Sequence, residues 1–419
     1  MSSFILSLSD SQGGAARAAL RLHHAMLMAG HGTRMLVRER RTGEPNVECV
    51  SGSDSDVGSW RSKIGNAIFR LGRIQGSGAR SGNWLPSDVA SRIDGMGADV
   101  VNLHWVGAEM LSIEDIGRIR QPIVWTLHDM WPFCGSEHYA AEDPEARWRT
   151  GYGKDNRPAG SSGIDLDRLI WQRKLRHWQK PMHIVAPSRW LGDCARSSRL
   201  LQHYPIECIP NPLDTDVFRP LDMAASREAL GLPQDVFLVA FGAVGGSADP
   251  RKGFDLLLAG LRHAANTRRD LAIHAVIFGQ DAPAPGEELP VPAHWVGHIH
   301  DDATLALLYS AADAMVVPSR QENLPQTATE AQSCGCPVLA FDCTGLPDAV
   351  EHKVTGYLAR AFDVGDLAQG LAWLYEDRER LAALRRNARL RAVQLWSPAV
   401  VLPKYEDVYR RAIAWERAA

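Results

Sequence analysis

The chain has almost no net charge. Its 46 lysines and arginines stand against 49 aspartates and glutamates, a formal balance of −3. No global field therefore draws it to nucleic acid, although a local basic patch is compatible with that sum. No run of 18 or more apolar residues occurs, which excludes a bilayer-spanning helix. The opening segment MSSFILSLSD lacks a basic n-region and has only a short apolar run, which is not the pattern of a secretory leader. Cysteine is sparse and odd in number: Cys49, Cys134, Cys194, Cys208, Cys334, Cys336 and Cys343. There is no CxxC, and the one close pair, Cys334-Gly335-Cys336, is too tight for a zinc knuckle. These thiols read as small apolar residues in a reducing cytoplasm. Neither GxGxxG nor P-loop spacing is found, which disfavours a dinucleotide dehydrogenase.

What is present is ordinary globular material in quantity. Hydrophobic residues make up 45% and charged residues 23%, which sets aside disordered, collagenous and coiled-coil classes. At 419 residues the chain is too long for a single core and calls for two or three domains. The 36 glycines and 24 prolines punctuate many connections.

Read in order, 4–8 is a buried strand, SDSQGG a turn, 15–29 a helix by its apolar spacing, and 33–38 a second strand. Strand, glycine-rich turn, helix, strand is the opening of a parallel α/β layer. Residues 51–87 are Gly- and Ser-rich, with basic residues and no acid between Asp56 and Asp88. Strands follow at 100–104 and 122–127, a long loop at 140–163, a helix at 166–178, and strands at 183–186 and 206–209. PNPLDTDVFRP then forms a linker. A second α/β half has strands expected at 236–241, 273–278, 293–296, 314–317 and 337–341, and helices at 301–311, 325–334 and 363–376. The residues after Trp396-Ser397-Pro398 read as an amphipathic helix crossing back onto the first half. Each half spans about 200 residues.

Four segments carry chemistry. In Ser319 to Pro347, Pro325 suits the first turn of a helix, with Glu322 just before it and Glu330 in its second turn. Ala328, Ala331 and Gly335 form a small face that packs on the sheet, which leaves Glu330 facing the cleft. The amides of Gln326 and Thr327 point from the helix start and favour an anion. Two carboxylates beside an anion site suit a ligand with both phosphates and hydroxyls; spacing alone equally allows two surface glutamates. The second segment, Gly245-Gly246-Ser247-Ala248-Asp249-Pro250-Arg251-Lys252-Gly253, follows a strand and combines backbone room with charge for a phosphate. The third is Gly13-Gly14 after the first strand, which reads equally as a tight turn. The fourth is His128-Asp129 at the end of a strand, where open α/β sheets bind ligands; there and at His104 the alternative is a structural histidine.

Together these residues resemble the retaining glycosyltransferases of the GT-B fold, family 4, also called glycosyl transferases group 1. The most specific element is Glu322…Glu330 within PSRQENLPQTATEAQSCGCPVLA. DPRKGFDLLL, TGLPDAVEHKVTGYL, PSRWL, IPNPLDTDVFRP and SLSDSQGGAARAALRL accompany it. HDMWPF resembles a subgroup linked to exopolysaccharide, colanic-acid-type assembly. The resemblance implies two Rossmann-like domains facing each other across a cleft. Residues 1–208, joined by helix 398–419, would bind the acceptor, and 209–397 the nucleotide-sugar donor. It implies that Glu322 contacts the donor sugar, Glu330 the ribose, and Lys252 with Arg251 the diphosphate. Asn323, Leu324, Gln326 and Thr327 would cradle sugar and phosphate, and Gly13 and Gly14 would approach the diphosphate. His128 would contact the sugar near the reacting carbon. Asp129, Gly245, Gly246 and His298 complete the substrate-binding set. Ala243 stands where many relatives carry arginine. Pro325 stands where they often carry glycine, removing one N–H from the cradle.

The implied reaction moves a sugar, with retention, to a hydroxyl of a saccharide acceptor, expected to be lipid-linked, in bacterial surface polysaccharide synthesis. No cofactor and no metal are expected: the nucleotide sugar is a substrate, and Lys252, Arg251 and the helix dipole meet the leaving charge. Other readings are a non-catalytic sugar-nucleotide-binding scaffold, or another GT-B enzyme such as a sugar-phosphate synthase or nucleotide-sugar epimerase. Arg61 to Arg80 is basic, with Ile64, Ile68, Phe69, Leu71 and Ile74 interleaved. A second cluster comprises Arg168, Trp171, Arg173, Lys174, Arg176, Trp178 and Lys180. These clusters favour peripheral contact with anionic lipid at the inner face of the cytoplasmic membrane; a half-buried helix with a solvated face fits them as well. No nucleic-acid partner is expected.

Overall fold

A computed structural model describes residues 1–50, 56–71, 78–242, 248–268, 270–282 and 289–418. The chain divides into two compact units, one made of Met1–Pro212 and Leu402–Ala419, the other of Leu213–Val401.

The first unit holds strands β1 (Ser2–Ser9), β2 (Gly32–Glu39), β3 (Val47–Cys49), β4 (Val100–Leu103), β5 (Ile123–Thr126), β6 (Met182–Ala186) and β7 (Ile206–Cys208). They form one seven-stranded sheet in the order β3-β2-β1-β4-β5-β6-β7, with every pairing parallel. Leu6 sits opposite Leu36 on one side and Leu103 on the other. Strands β4, β5 and β6 are buried along their whole length, as parallel strands covered on both faces must be.

The second unit holds β8 (Phe237–Gly242), β9 (Ile273–Phe278), β10 (Ala293–Trp295), β11 (Ala314–Val317), β12 (Val338–Asp342) and β13 (Gly356–Arg360). Its six-stranded parallel sheet runs β10-β9-β8-β11-β12-β13. In both sheets the order in which strands are added reverses once, between β1 and β4 and between β8 and β11. Such a reversal opens a crevice beyond the carboxyl ends of the two central strands, where open α/β sheets take their ligands.

Most strands expected from the sequence stand within a residue or two of their predicted bounds. Two edge strands, β3 and β13, and the long helix Arg378–Trp396 were not expected. Residues 56–71 of the Gly- and Ser-rich segment form a helix, Asp56–Leu71. The long loop at 140–163 contains one short helix, Arg147–Thr150.

The first unit's core is rich in tryptophan: Trp125, Trp131, Trp148 and Trp178 are all nearly inaccessible. Trp125 meets Trp178 edge-on at 5.1 Å between ring centres, an arrangement favoured by the aromatic quadrupole. The last helix, Pro398–Ala418, seats two tyrosines in this unit. Tyr409 Oη accepts from Asn102 Nδ2 at 2.7 Å, and Tyr405 Oη lies 3.2 Å from Thr126 Oγ1. Thr126 Oγ1 also donates to Asn102 Oδ1 at 3.1 Å, so the tyrosines complete a buried polar network that would otherwise carry a desolvation cost.

Candidate functional site

The switch point of the second sheet brings three of the predicted residues together. β11 ends at Val317, and the chain turns through Pro318 and Ser319 to Glu322. β8 ends at Gly242, and its following loop closes with a short 3-10 turn, Pro250–Lys252. Lys252 Nζ donates to Glu322 Oε1 at 2.6 Å, Ser319 Oγ donates to the same oxygen at 3.1 Å, and Arg251 Nη1 lies 3.5 Å from it. Glu322 is 6% exposed. Its burial acts to raise the carboxyl pKa, but the neighbouring Lys252 and Arg251 charges outweigh that and hold it below the usual range.

The two loops are clamped to each other by backbone as well. Arg320 N donates to Arg251 O at 2.8 Å, and Arg320 forms a two-pronged pair with Asp255 at 2.8 and 2.6 Å. Gly253 has φ +68, and a Cβ there would run into the carbonyl oxygen of Pro318. Only glycine permits this close crossing. Glu322 is fixed from behind: its N–H reaches Thr344 Oγ1 at 3.1 Å, and its carbonyl accepts from Gly345 N at 2.9 Å. A Cβ on Gly345 would collide with the Asn323 carbonyl. Thr344 and Gly345 were not singled out from the sequence, and Ser319 and Gly253 were named there only as ends of segments. A serine three residues before the glutamate, and glycines at both loop crossings, were the available signals.

The following helix is Gln326–Ser333, with Pro325 as the residue before it at φ −67, ψ 124. The helix thus starts one residue later than expected, and Pro325 caps rather than opens it. Asn323 and Leu324 are buried at its approach, while Gln326 and Thr327 are half-buried. Glu330 departs from expectation. It is 2% exposed and its Oε2 accepts from Tyr309 Oη at 2.9 Å. Residues 328–333 are all buried, so Glu330 is not the open carboxylate that the sequence predicted. His298 is exposed beyond the end of β10 and stacks with His300 at 6.4 Å between ring centres. Gly245 and Gly246 lie outside the described residues.

In the first unit, Gly13 has φ +86 and caps the helix Gly14–Met28, four residues after the end of β1. His104 follows β4 and His128 follows β5. His104 Nδ1 and His128 Nε2 stand 2.9 Å apart, so one ring donates to the other. Burial drives both imidazoles toward the neutral form: His128 falls to about 4, and His104 falls well below its ordinary value with help from His128. Both carboxylate oxygens of Asp129 are engaged by protein groups. Oδ2 accepts from Trp105 Nε1 at 2.7 Å and lies 2.6 Å from His138 Nδ1, while Oδ1 accepts from Trp131 N at 2.9 Å. His138 continues the chain to Ser81 Oγ at 2.7 Å.

The basic–apolar clusters are thinner than their sequence implies. Arg61 is buried and donates to the carbonyls of Glu109 and Leu85. Lys174, Trp171 and Trp178 are buried, and Arg173 pairs with Glu114 at 2.6 Å. Burial lowers the Lys174 pKa to about 7, and its ammonium donates to Trp131 O, Cys134 O and Gly135 O. Trp60 and Ile64 remain exposed beside Lys63, and Leu169 and Leu175 beside Arg176. Arg73 and Ile74 lie outside the described residues, and the Leu71 side chain is not described. Among the described residues no helix is long and apolar enough to cross a membrane.

Comparison with known families places this architecture. The model of Glycosyltransferase Family 4 matches residues 12–217, and that of Glycosyl transferases group 1 matches 225–391. The chain belongs to these glycosyltransferases of the GT-B fold. Among curated proteins, a D-inositol 3-phosphate glycosyltransferase of Saccharomonospora viridis is 36% identical over 217 residues, 48% of this chain and 49% of that protein. The corresponding protein of Mycobacterium tuberculosis is 36% identical over 261 residues, covering 59% and 50%. The chain thus spans about half the length of the curated relatives it matches. Among solved structures, sucrose-phosphate synthase from Thermosynechococcus elongatus aligns over 99% of both chains with a TM-score of 0.70 and 18% identity. HepE of Anabaena, in complex with UDP and glucose, aligns over 98% of this chain and all of its own with a TM-score of 0.66 and 18% identity. Both likenesses are of fold.

Proposed function

We propose that the protein transfers a glycosyl unit from a nucleoside diphosphate sugar to a hydroxyl of a saccharide acceptor, with retention at the anomeric carbon. The observation that carries this reading is the Lys252–Glu322–Arg251 cluster at the switch point of the second sheet. In such a reaction the bond from anomeric carbon to phosphate oxygen breaks with its electron pair leaving on the diphosphate. The acceptor oxygen bonds to the same carbon, and its proton passes to the departing phosphate. The barrier lies in charge separation, so cations held in place before the reaction contribute most. Lys252 and Arg251 supply that charge, and the amides at the start of Gln326–Ser333 add a helix dipole. Glu322 fixes the ammonium in position and offers its second oxygen to sugar hydroxyls. On this reading no protein base, metal or cofactor takes part. The second unit holds the donor and the first the acceptor, with Gly13, His104 and His128 at strand ends.

The acceptor admits two forms. A lipid-linked saccharide in surface polysaccharide assembly accords with the HDMWPF segment and with Trp60, Ile64 and Lys63 exposed on one helix. A small phosphorylated polyol accords with the names of the curated relatives. The deciding experiment is incubation of purified protein with a panel of nucleotide sugars, each alone and with inositol phosphate or a lipid-linked saccharide. Release of nucleoside diphosphate establishes the donor, and labelled product establishes the acceptor. No turnover of any donor would refute the reading in favour of a binding scaffold.

A further inference from the structure

The second unit has a cavity at the end of its sheet opposite Lys252 and Glu322. It encloses about 1060 Å³ and is lined by Phe237 at the start of β8, Ala272 just before β9 and Asp313 just before β11. These are the amino ends of parallel strands, so the length of β8, about 20 Å, separates the cavity from the Lys252 cluster. Its volume is at or above the usual range for small-molecule sites, roughly 300–1,000 Å³.

Five arginines line it: Arg227, Arg378, Arg385, Arg386 and Arg389. Three are structural. Arg227 pairs with Asp313 at 2.7 Å and donates to the carbonyls of Ala311, Gln234 and Val236. Arg385 donates to Ala312 O at 3.0 Å, and Arg389 to Phe218 O at 2.8 Å. Arg378 and Arg386 are different. Both are exposed, and among the described residues neither has a carboxylate or hydrogen-bonding partner. They sit two turns apart on the helix Arg378–Trp396, with the small side chain of Ala382 between them on the same face. The lining acids do not neutralise them: Asp313 is taken by Arg227, and Glu376 by Arg268 at 2.5 Å. Only Asp235, exposed, is left without such a partner. Apolar surface adjoins the pair, with Leu381 on the same helix and the Tyr375 ring packed edge-on to Phe237 at 5.5 Å.

We infer that this cavity is a binding site for a phosphorylated small molecule with a ring or apolar portion, separate from the site around Glu322. The phosphate sits between Arg378 and Arg386, where guanidinium forks match its oxygens. The apolar portion lies against Tyr375 and Leu381.

The test is calorimetric titration of the Lys252→Ala variant, which removes a phosphate-binding contribution from the other site. The probes are p-nitrophenyl phosphate, which carries a ring, and inorganic phosphate, which does not. The expected result is saturable binding of p-nitrophenyl phosphate, tighter than inorganic phosphate and weaker at high salt. Adding Arg378→Ala and Arg386→Ala should weaken it roughly tenfold or more at unchanged melting temperature, with partial recovery in the Arg378→Lys, Arg386→Lys pair. Three outcomes would overturn the inference: no binding of either probe at millimolar concentration, binding indifferent to both arginines, or arginine-dependent sedimentation with phosphatidylglycerol vesicles without binding of the soluble probe.

Discussion

The ammonium of Lys252 lies 2.6 Å from the carboxylate of Glu322, and the guanidinium of Arg251 lies 3.5 Å from the same oxygen. A ligand therefore meets the cations and the carboxylate as one assembly, and the effect of changing one depends on the others.

Lys252→Ala removes the charge nearest the proposed leaving group and leaves Glu322 buried beside Arg251 alone. Turnover of the nucleotide sugar should fall by roughly 10²–10³, the usual loss for one preorganised donor. Glu322→Gln keeps the shape and should lower kcat more than it raises KM, because the fold around it is held by backbone contacts to Thr344 and Gly345. Steady-state kinetics on both variants measures this; near wild-type kcat in both would remove the cluster from the reaction.

The Glu322 carboxyl is held below its ordinary value in the folded chain. A lowered acid pKa means that the unfolded state binds more protons, so the stability it contributes is present above the ordinary glutamate value, about 4.3, and is lost as pH falls through the folded value. Urea melts at pH 6 and at pH 4 should therefore show a smaller loss of stability for Glu322→Gln than for the native chain.

His128 is driven down to about 4 and His104 well below its ordinary value. Both rings should stay neutral from pH 6 to 8, and their imidazole NMR signals should not move over that range. Because the folded values are depressed, stability falls as pH drops from about 6.5 toward 4, as each ring must acquire a proton that the folded state refuses. His104→Gln should flatten that fall.

Tyr309→Phe removes the hydroxyl that donates to Glu330 in the interior. The expected cost is about 1 kcal/mol, rising toward 3 if the carboxylate finds no replacement donor. Chemical denaturation reads it, and an unchanged midpoint would show that Glu330 does not depend on this contact.

Gly253→Ala demands a left-handed backbone from alanine and forces its methyl against the Pro318 carbonyl. Destabilisation of at least 1–2 kcal/mol is expected. It should be accompanied by a loss of nucleotide affinity larger than that of a surface control such as Arg262→Ala, because the Lys252 loop is set by this crossing.

Legibility in the sequence followed the physics of burial. Strands such as 236–241 announce themselves because a parallel strand covered on both faces is a continuous apolar run. β3 and β13 are short edges with mixed composition and send no such signal. The helix Arg378–Trp396 was missed because it packs through Leu384, Ala388, Ala392 and Trp396, and its alanines hardly register as apolar amid so many arginines. Glu322, Lys252 and Arg251 were singled out because a carboxylate and two cations stand at loops after strands, and the family resemblance, not the spacing, joined them into one site. The burial of Glu330 was not legible: its partner Tyr309 is on another helix, and periodicity places a residue on a face without saying what lies opposite. The partners of Asp129 were not legible for the same reason, since Trp105 and His138 come to it through the tertiary fold.

The tyrosines of the last helix bear on how the chain is made. Asn102 and Thr126, in the middle of the first sheet, find partners in Tyr409 and Tyr405, separated from them by 307 and 279 residues. During synthesis those two polar groups have each other, Thr126 Oγ1 donating to Asn102 Oδ1 at 3.1 Å, but not the tyrosines until the whole second unit, an uninterrupted stretch from Leu213 to Val401, has left the ribosome. The part made first is thus completed last, and a ribosome that stalls before residue 405 releases a chain whose finished portion is the later half.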